Sequence, residues 1–307
     1  MKAVIKRIPP VKLNEERLMK FAFQARAERA LVNVVRTLEK GGVRSVVLKG
    51  PHLGNVYYAD TLERTYCDLD LLVKKRDFKK AVALLERGQY KKFEFSKESF
   101  YRDIYSSHHW KYATPEGIFL ELHRDLAPGG RYKPDLDGLV DRALPFRIGG
   151  HKLLGLAPVD LLLHLCIHAT AAYFRIGDKY LTDVSHMLER CPNFDWSAFT
   201  AAALSADVKG GCFYFLQAVA SQRGTAVPDW VLVELAPLGV RRRLLDRYFN
   251  PANFPIHRHR DKGSWQIRLM IALLLIDDPL RWPGRLTHYG SIRLCDSVHN
   301  ILSEGDR

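Results

Sequence analysis

Between residues 14 and 40 apolar side chains recur with a helical period. Leu31, Val34, Val35 and Leu38 fall at i, i+3, i+4 and i+7, and Gly41-Gly42 closes the run. This predicts an amphipathic helix. The apolar run SVVLKG (45–50) predicts a short buried strand, and PHLGNVYYAD (51–60) a brief helix or ordered loop with Pro51 in its first turn. CDLDLLV (67–73) predicts a second strand. RDFKKAVALLERG (76–88) returns to the helical period, with Phe78, Ala81, Val82 and Leu85 along one face and Gly88 as the stop. HHWKYAT and GIFLELHRDL flank TPEG (114–117), whose second-place proline and fourth-place glycine suit a type I turn, so these runs predict a hairpin. FRI and HKL around Gly149-Gly150 predict another hairpin with a two-residue turn.

Past residue 155 the pattern is helical throughout. Residues 157–174 carry an apolar stripe of Leu162, Leu165, Cys166, Ala169 and Tyr173. Further helices are predicted at 179–190, 197–206, 209–222, 228–236, 240–249 and 265–277. The chain therefore divides into an α/β (α+β) unit over residues 1–155, with a small mixed sheet, and an all-helical unit over 156–307. The N-terminal helix is expected to pack on the helical unit.

The length of 307 residues is sufficient for these two units. Charge adds a bias: 47 Lys and Arg against 34 Asp and Glu give a net charge of +13, which favours polyanions such as nucleotides, nucleic acid or anionic lipid. Cys67, Cys166, Cys191, Cys212 and Cys295 are scattered and form no C-x-x-C. That excludes a disulfide framework and a cysteine zinc site, and fits a reduced, cytoplasmic compartment. The first residues lack the apolar core of a signal peptide, and LMIALLLI near the other end is far too short for a membrane span. There is no Gly-rich P-loop, no G-x-S-x-G and no dinucleotide fingerprint.

The chemistry concentrates in two strands. Asp68 and Asp70 alternate with Leu69, Leu71 and Val73, so the aspartates share one face and the aliphatic side chains the other. Two carboxylates about 7 Å apart on one face repel unless a cation lies between them. A divalent metal with oxygen ligands resolves the conflict, and Mg²⁺ commonly takes one or two carboxylates together with substrate phosphates. In IFLELH, Phe119, Glu121 and His123 share a face opposite Ile118, Leu120 and Leu122, which makes Glu121 the candidate third ligand.

The succession VVLKG, ADTLERTYCDLDLLV, a helix and FLELHRDL resembles the bacterial uncharacterised nucleotidyltransferase family of the DNA polymerase β-like superfamily. The resemblance extends through LLLHLCIHA and YLTDVSHML, covering about residues 30–190. It implies a polymerase β-like fold and a two-metal mechanism, in which Asp68 and Asp70 bind the Mg²⁺ (or Mn²⁺) that bridges the nucleotide phosphates and Glu121 holds the second ion and activates the acceptor hydroxyl. It further implies transfer of a nucleoside monophosphate from an NTP, ATP by default, to an acceptor hydroxyl with release of pyrophosphate. The acceptor would be a small hydroxylated molecule or a peptide or protein side chain, with RNA less favoured. Where the superfamily has Gly-Ser after its first strand, this chain has Lys49-Gly50-Pro51, and Pro51 offers no N–H to a phosphate. Lys49 and Arg64 are expected to compensate with positive charge, so Lys49, Gly50, Arg64 and His123 are the candidate nucleotide-binding residues. The alternative is a non-catalytic nucleotide- or polyanion-binding protein on a degenerate version of the fold.

Three further features have simpler readings. His164 and His168, four apart on one helix face, are expected to be hydrogen-bonded residues near the junction of the two units, with Asp183 as a possible partner. His108 and His109 read as surface histidines at the start of a strand. The basic runs VRRRLLDRYF (240–249) and HRHRDKGSWQIR (257–268) read as solvated helix faces more than as a nucleic-acid track.

Overall fold

The computed structural model describes residues 15–93, 108–174, 176–249, 270–271, 273–278 and 283. The first helix, α1, spans Glu15–Lys40. There follow β1 (Ser45–Val47), α2 (Pro51–Tyr57), β2 (Asp68–Val73), α3 (Phe78–Arg87), β3 (Lys91–Lys92), β4 (His109–Ala113) and β5 (Phe119–His123). Next are α4 (Leu136–Asp141), β6 (Leu144–Ile148) and β7 (His151–Gly155). Six helices complete the described chain: α5 (Pro158–Ala171), α6 (Lys179–Glu189), α7 (Trp196–Ser205), α8 (Lys209–Arg223), α9 (Asp229–Leu235) and α10 (Gly239–Tyr248). This is the expected α/β class followed by helices. The basic run at 257–268 lies outside the described residues, as do residues 265–269 and 272 of the helix expected at 265–277, and Cys295.

The two predicted hairpins are not separate. They extend one seven-stranded mixed sheet in the order β3-β4-β5-β2-β1-β7-β6. The β4–β5 and β6–β7 hairpins are antiparallel, as is β1 with β2. The parallel contacts are β2 with β5 and β1 with β7. Gly149 and Gly150 form the β6–β7 turn with φ of 51° and 82°, the left-handed backbone that a two-residue hairpin turn requires and that glycine adopts without a Cβ penalty.

Each face of the sheet has its own cover. Leu69, Leu71, Val73, Leu120, Leu122 and Tyr112 bury one face beneath α1 and α3, with Leu31, Val34, Leu38, Phe78, Ala81 and Leu85 opposite them. The N-terminal helix thus packs on the sheet and not on the helical half; its stripe matches the β-strand face because both present branched aliphatic side chains. Val46, Leu48 and Leu72, on the other face, belong to the cluster that contains the helices from 158 onward. Within that cluster α5 is buried almost all round, from Asp160 to Ile167 and at Ala169 and Thr170. A stripe was expected there, but a helix surrounded by neighbours has no solvent side. Tyr173 falls outside it, past the last turn, with φ of 53°.

Candidate active site

Strand pairing decides which polar side chains meet. In the parallel β2–β5 register Asp68 lies opposite Phe119, Asp70 opposite Glu121 and Leu72 opposite His123. In the antiparallel β4–β5 register Lys111 lies opposite Glu121 and His109 opposite His123. Alternation puts Asp68, Asp70, Glu121, His123, His109 and Lys111 on the face away from α1 and α3. The aliphatic residues between them lock the strands to the core on the other side, so the polar face is built on rigid elements.

Asp70 is the centre of this face. It is 1% exposed. One carboxylate oxygen is 3.3 Å from Lys49 Nζ and the other 3.1 Å from His123 Nε2. Burial works to raise the Asp70 pKa, but Lys49 and His123 overcome it and hold the carboxyl well below its usual range. Burial likewise disfavours the Lys49 charge, and Asp70 more than reverses that. His123 Nε2 also lies 3.5 Å from Glu121 Oε2, and against the effect of burial the two carboxylates raise the imidazole to about 9. Glu121 is flanked on its other oxygen by His109 Nε2 at 3.5 Å and Lys111 Nζ at 3.4 Å. Burial would raise its carboxyl; the hydrogen bond from His123 and the charge of His109 bring it down to about 2.

The candidate residues separate accordingly. Asp70, Glu121 and His123 converge, with one ligand atom from each lying within 4.8 Å of the others. Such a mixed carboxylate and imidazole donor set fits a divalent cation. His123, expected to touch nucleotide, instead bonds both carboxylates. Asp68 shares the face but stands outside that group, one strand step away. Burial and the nearby Asp70 raise its pKa. Lys49 reaches the carboxylates as expected. Gly50, with φ of 52°, turns the chain from β1 into α2, where Pro51 takes the first helical position.

Arg64 is a correction. Its Nε and Nη2 donate to the two oxygens of Asp183 at 2.5 and 2.8 Å, and its Nη1 donates to the Thr65 carbonyl at 2.8 Å. Arg64 is 3% exposed and Asp183 0%. Its charge is therefore matched inside the protein by Asp183. Asp183 also accepts from the Tyr58 hydroxyl at 2.8 Å, so it is the partner of Arg64 and Tyr58, not of His164 or His168.

Those two histidines differ from expectation as well. Neither ring nitrogen of His164 and not Nδ1 of His168 has a hydrogen-bond partner among the described residues. His164 is 2% exposed. Burial, and after it neighbouring positive charges including Lys49, depress both imidazoles, while Asp70 acts in the opposite direction. His164 acts in turn on Asp70, so the α5 histidines and the sheet carboxylates share one electrostatic environment. The His168 ring stacks on Tyr180 at 5.1 Å. Tyr180 itself feels Lys49, Arg64, Asp70 and Asp68. Helices α5 and α6 thus contribute His164, His168 and Tyr180 to the surroundings of the carboxylates. His109, read as a surface residue, is half-buried against Glu121. Its signal was present in the sequence: on the antiparallel partner of IFLELH, a histidine near the strand start falls opposite His123.

An apolar cleft of about 820 Å³ lies elsewhere, among Arg142, Pro158, Asp160, Phe194, Ala198 and Ala202, and none of the sheet carboxylates lines it. In the basic run on α10, Arg241 pairs with Asp277 at 2.6 Å and Arg242 with Asp246 at 3.5 Å.

A family model described as "Uncharacterised nucleotidyltransferase" matches residues 2–222. No curated protein matches the chain. Among solved structures, a lincosamide antibiotic adenylyltransferase, LnuA, in a lincomycin-bound crystal structure, is similar at 14% identity and TM-score 0.35, over 52% of this chain and 94% of that one. The solution structure of the antibiotic-resistance factor ANT(2'')-Ia is similar at 9% identity and TM-score 0.39, over 58% of this chain and 90% of that one.

Proposed function

Because the chain belongs to the uncharacterised nucleotidyltransferase family, we propose that it transfers a nucleoside monophosphate from an NTP to an acceptor hydroxyl and releases pyrophosphate. The observation that carries this reading is the register that sets Asp70 directly opposite Glu121, with Asp68 on the same face. Asp70, Glu121 and His123 would hold a divalent cation, with Asp68 completing its contacts when nucleotide is bound. Bound there, the cation would neutralise phosphate charge and stabilise the attacking and leaving oxygens of an in-line displacement.

The remaining work falls to the chain's own groups. The acceptor oxygen attacks the α-phosphorus as the bond to the bridging oxygen breaks and pyrophosphate leaves. Glu121, held ionised by His123 and His109, is placed to take the acceptor proton. Lys49, fixed beside Asp70, offers a positive charge to the triphosphate in a site that lacks the usual Gly-Ser turn. The polymerase β-like fold and the polar face at the junction of sheet and helices support the same reading. The acceptor is a small hydroxylated molecule or a peptide side chain. RNA is less favoured, since Arg241 is committed to Asp277 and the exposed Arg242 is shared with Asp246.

The direct test is incubation of the purified chain with each labelled NTP, Mg²⁺ or Mn²⁺ and a cell extract. Label should move into an acceptor fraction with matching pyrophosphate release. Nucleotide binding without pyrophosphate release for any NTP would instead establish the non-catalytic alternative.

Two variants refine the assignment. Glu121→Gln keeps the shape of the side chain but cannot accept the proton; transfer should fall roughly 10²–10⁴-fold, while affinity for a non-hydrolysable nucleotide, compared by calorimetry, should fall far less, because Asp70, Asp68 and His123 still hold the cation. An unchanged rate would remove Glu121 from the chemistry. Lys49→Met should weaken ATP binding by about 1.5–3 kcal/mol, the worth of a hydrogen bond to a charged group, and adenosine binding much less. Equal losses for ATP and adenosine would assign Lys49 to holding Asp70 alone.

A further inference from the structure

A second group of side chains adjoins the carboxylates. His108, His109 and His123 each bring a ring nitrogen to within 4.8 Å of the others. The three rings converge, with centroid separations of 4.2 Å for His108–His109, 4.9 Å for His109–His123 and 5.4 Å for His108–His123. Two lie in register across the β4–β5 pair, and His108 precedes β4. Glu121 closes the group, 3.5 Å from both His109 Nε2 and His123 Nε2. His123 belongs to this group and to the Asp70–Glu121 group alike.

We propose that His108, His109 and His123, with Glu121, form a nitrogen-rich cation site that takes a first-row transition metal ion in preference to Mg²⁺. The donor chemistry argues for that class. Mg²⁺ demands oxygen ligands in near-ideal octahedral geometry, whereas imidazole suits zinc, iron, nickel and copper. A tetrahedral site with metal–nitrogen bonds of 2.0–2.1 Å has ligands roughly 3.3 Å apart. Ligand atoms already within 4.8 Å reach that spacing by side-chain rotation, with the strands unmoved. Two of the imidazoles already meet through ring nitrogens, His109 Nδ1 lying 3.0 Å from His108 Nε2, a contact that a cation would replace and that becomes repulsive when both rings are charged. An oxygen-rich position and a nitrogen-rich position that both call on His123 Nε2 would be alternatives of unlike preference, since one ring nitrogen ligates one cation.

The cation's use rests on the nucleotidyl-transfer reading; its binding does not. The test is therefore made without nucleotide. The full chain, freed of metal with a chelator, is titrated with Co²⁺ and followed by visible absorption, and with Zn²⁺ and Mg²⁺ by calorimetry. Wild type should take up Co²⁺ with the d–d bands of an imidazole-ligated ion, and Zn²⁺ should displace it where equimolar Mg²⁺ does not. His109→Asn and, separately, His108→Asn should lower Co²⁺ affinity by more than the roughly 10–100-fold that loss of an outer partner costs. His151→Asn, on β7 and in neither group, should retain the bands. Circular dichroism checks that each variant is folded, and His108, at the edge of its strand, covers the case in which His109→Asn is not. Absence of Co²⁺ uptake by wild type, or wild-type affinity in both folded histidine variants, overturns the proposal. So does loss of the bands in His151→Asn. Co²⁺ uptake with no pyrophosphate release from any NTP would instead overturn the functional reading and leave the site standing.

Discussion

Asp70→Asn is expected to abolish transfer and to destabilise the fold, whereas Asp68→Asn should abolish or severely reduce transfer and leave the protein more stable. Both changes remove one charge from one strand, and their environments separate them. Asp70 is buried and answers two cations, Lys49 and His123. An amide there leaves Lys49 buried without its carboxylate, and breaking a buried ion pair by removing one partner costs about 3–5 kcal/mol. The melting temperature should fall by roughly 5–15 °C. Asp68 is a carboxyl whose pKa is raised by burial and by Asp70. A carboxyl with a folded-state pKa above its unfolded value costs stability once it is ionised, so above that pKa the neutral amide is the more stable residue. Thermal melts at neutral pH together with the pyrophosphate assay decide the matter. A melting temperature for Asp68→Asn as low as that for Asp70→Asn would mean that the two carboxylates are equivalent in the fold.

The second large effect lies in the Arg64–Asp183 pair. Both side chains are sequestered, the guanidinium is bidentate, and Tyr58 donates to the same carboxylate. Asp183→Asn keeps the size of the side chain but strands a buried guanidinium. We expect a loss of about 3–5 kcal/mol, the same order as for Asp70, without any direct contact with the carboxylates of β2 and β5. Arg64→Met in the Asp183→Asn background should recover part of that loss, because replacing both members of a buried pair by uncharged groups removes the unpaired charge. Denaturant unfolding of the single and double variants measures the coupling. Additive losses would show that Arg64 and Asp183 stabilise the fold independently.

The helices and strands were legible because their periods are local. Leu31, Val34, Val35 and Leu38 announce α1 without knowledge of what covers them, and all four are buried. Alternation also assigned Asp68, Asp70 and Glu121 to polar faces. It could not say that β2 and β5 are neighbours, since β3 and β4 intervene in the chain and the pairing is long-range. For the same reason His123 was expected to meet nucleotide rather than Asp70. The Arg64 partner lies 119 residues away, and no local pattern identifies it. His164 was expected to be hydrogen-bonded, yet neither ring nitrogen finds a partner among the described residues, because the groups that face α5 are set by long-range packing and not by its own sequence. The short helix α4 was not predicted; Asp135 caps it, its side chain accepting from Gly138 N, but six residues are too few to show a helical period.

The pairing of Asp70 with Glu121 also sets where the gene can change length. The path from Val73 to Phe119 makes a long excursion before β5 returns beside β2. Residues added or removed within its turns leave the β2–β5 alignment intact, because that alignment is fixed by the strands themselves. One residue inserted inside β5 does the opposite. Every side chain beyond the insertion moves to the other face of the sheet, so Glu121 or His123 would be driven toward the aliphatic layer under α1 while Leu120 or Leu122 took its place. Relatives of this chain should accordingly vary in length between the strands and hold constant spacing within FLELH, a pattern that an alignment of the family can display without any assay.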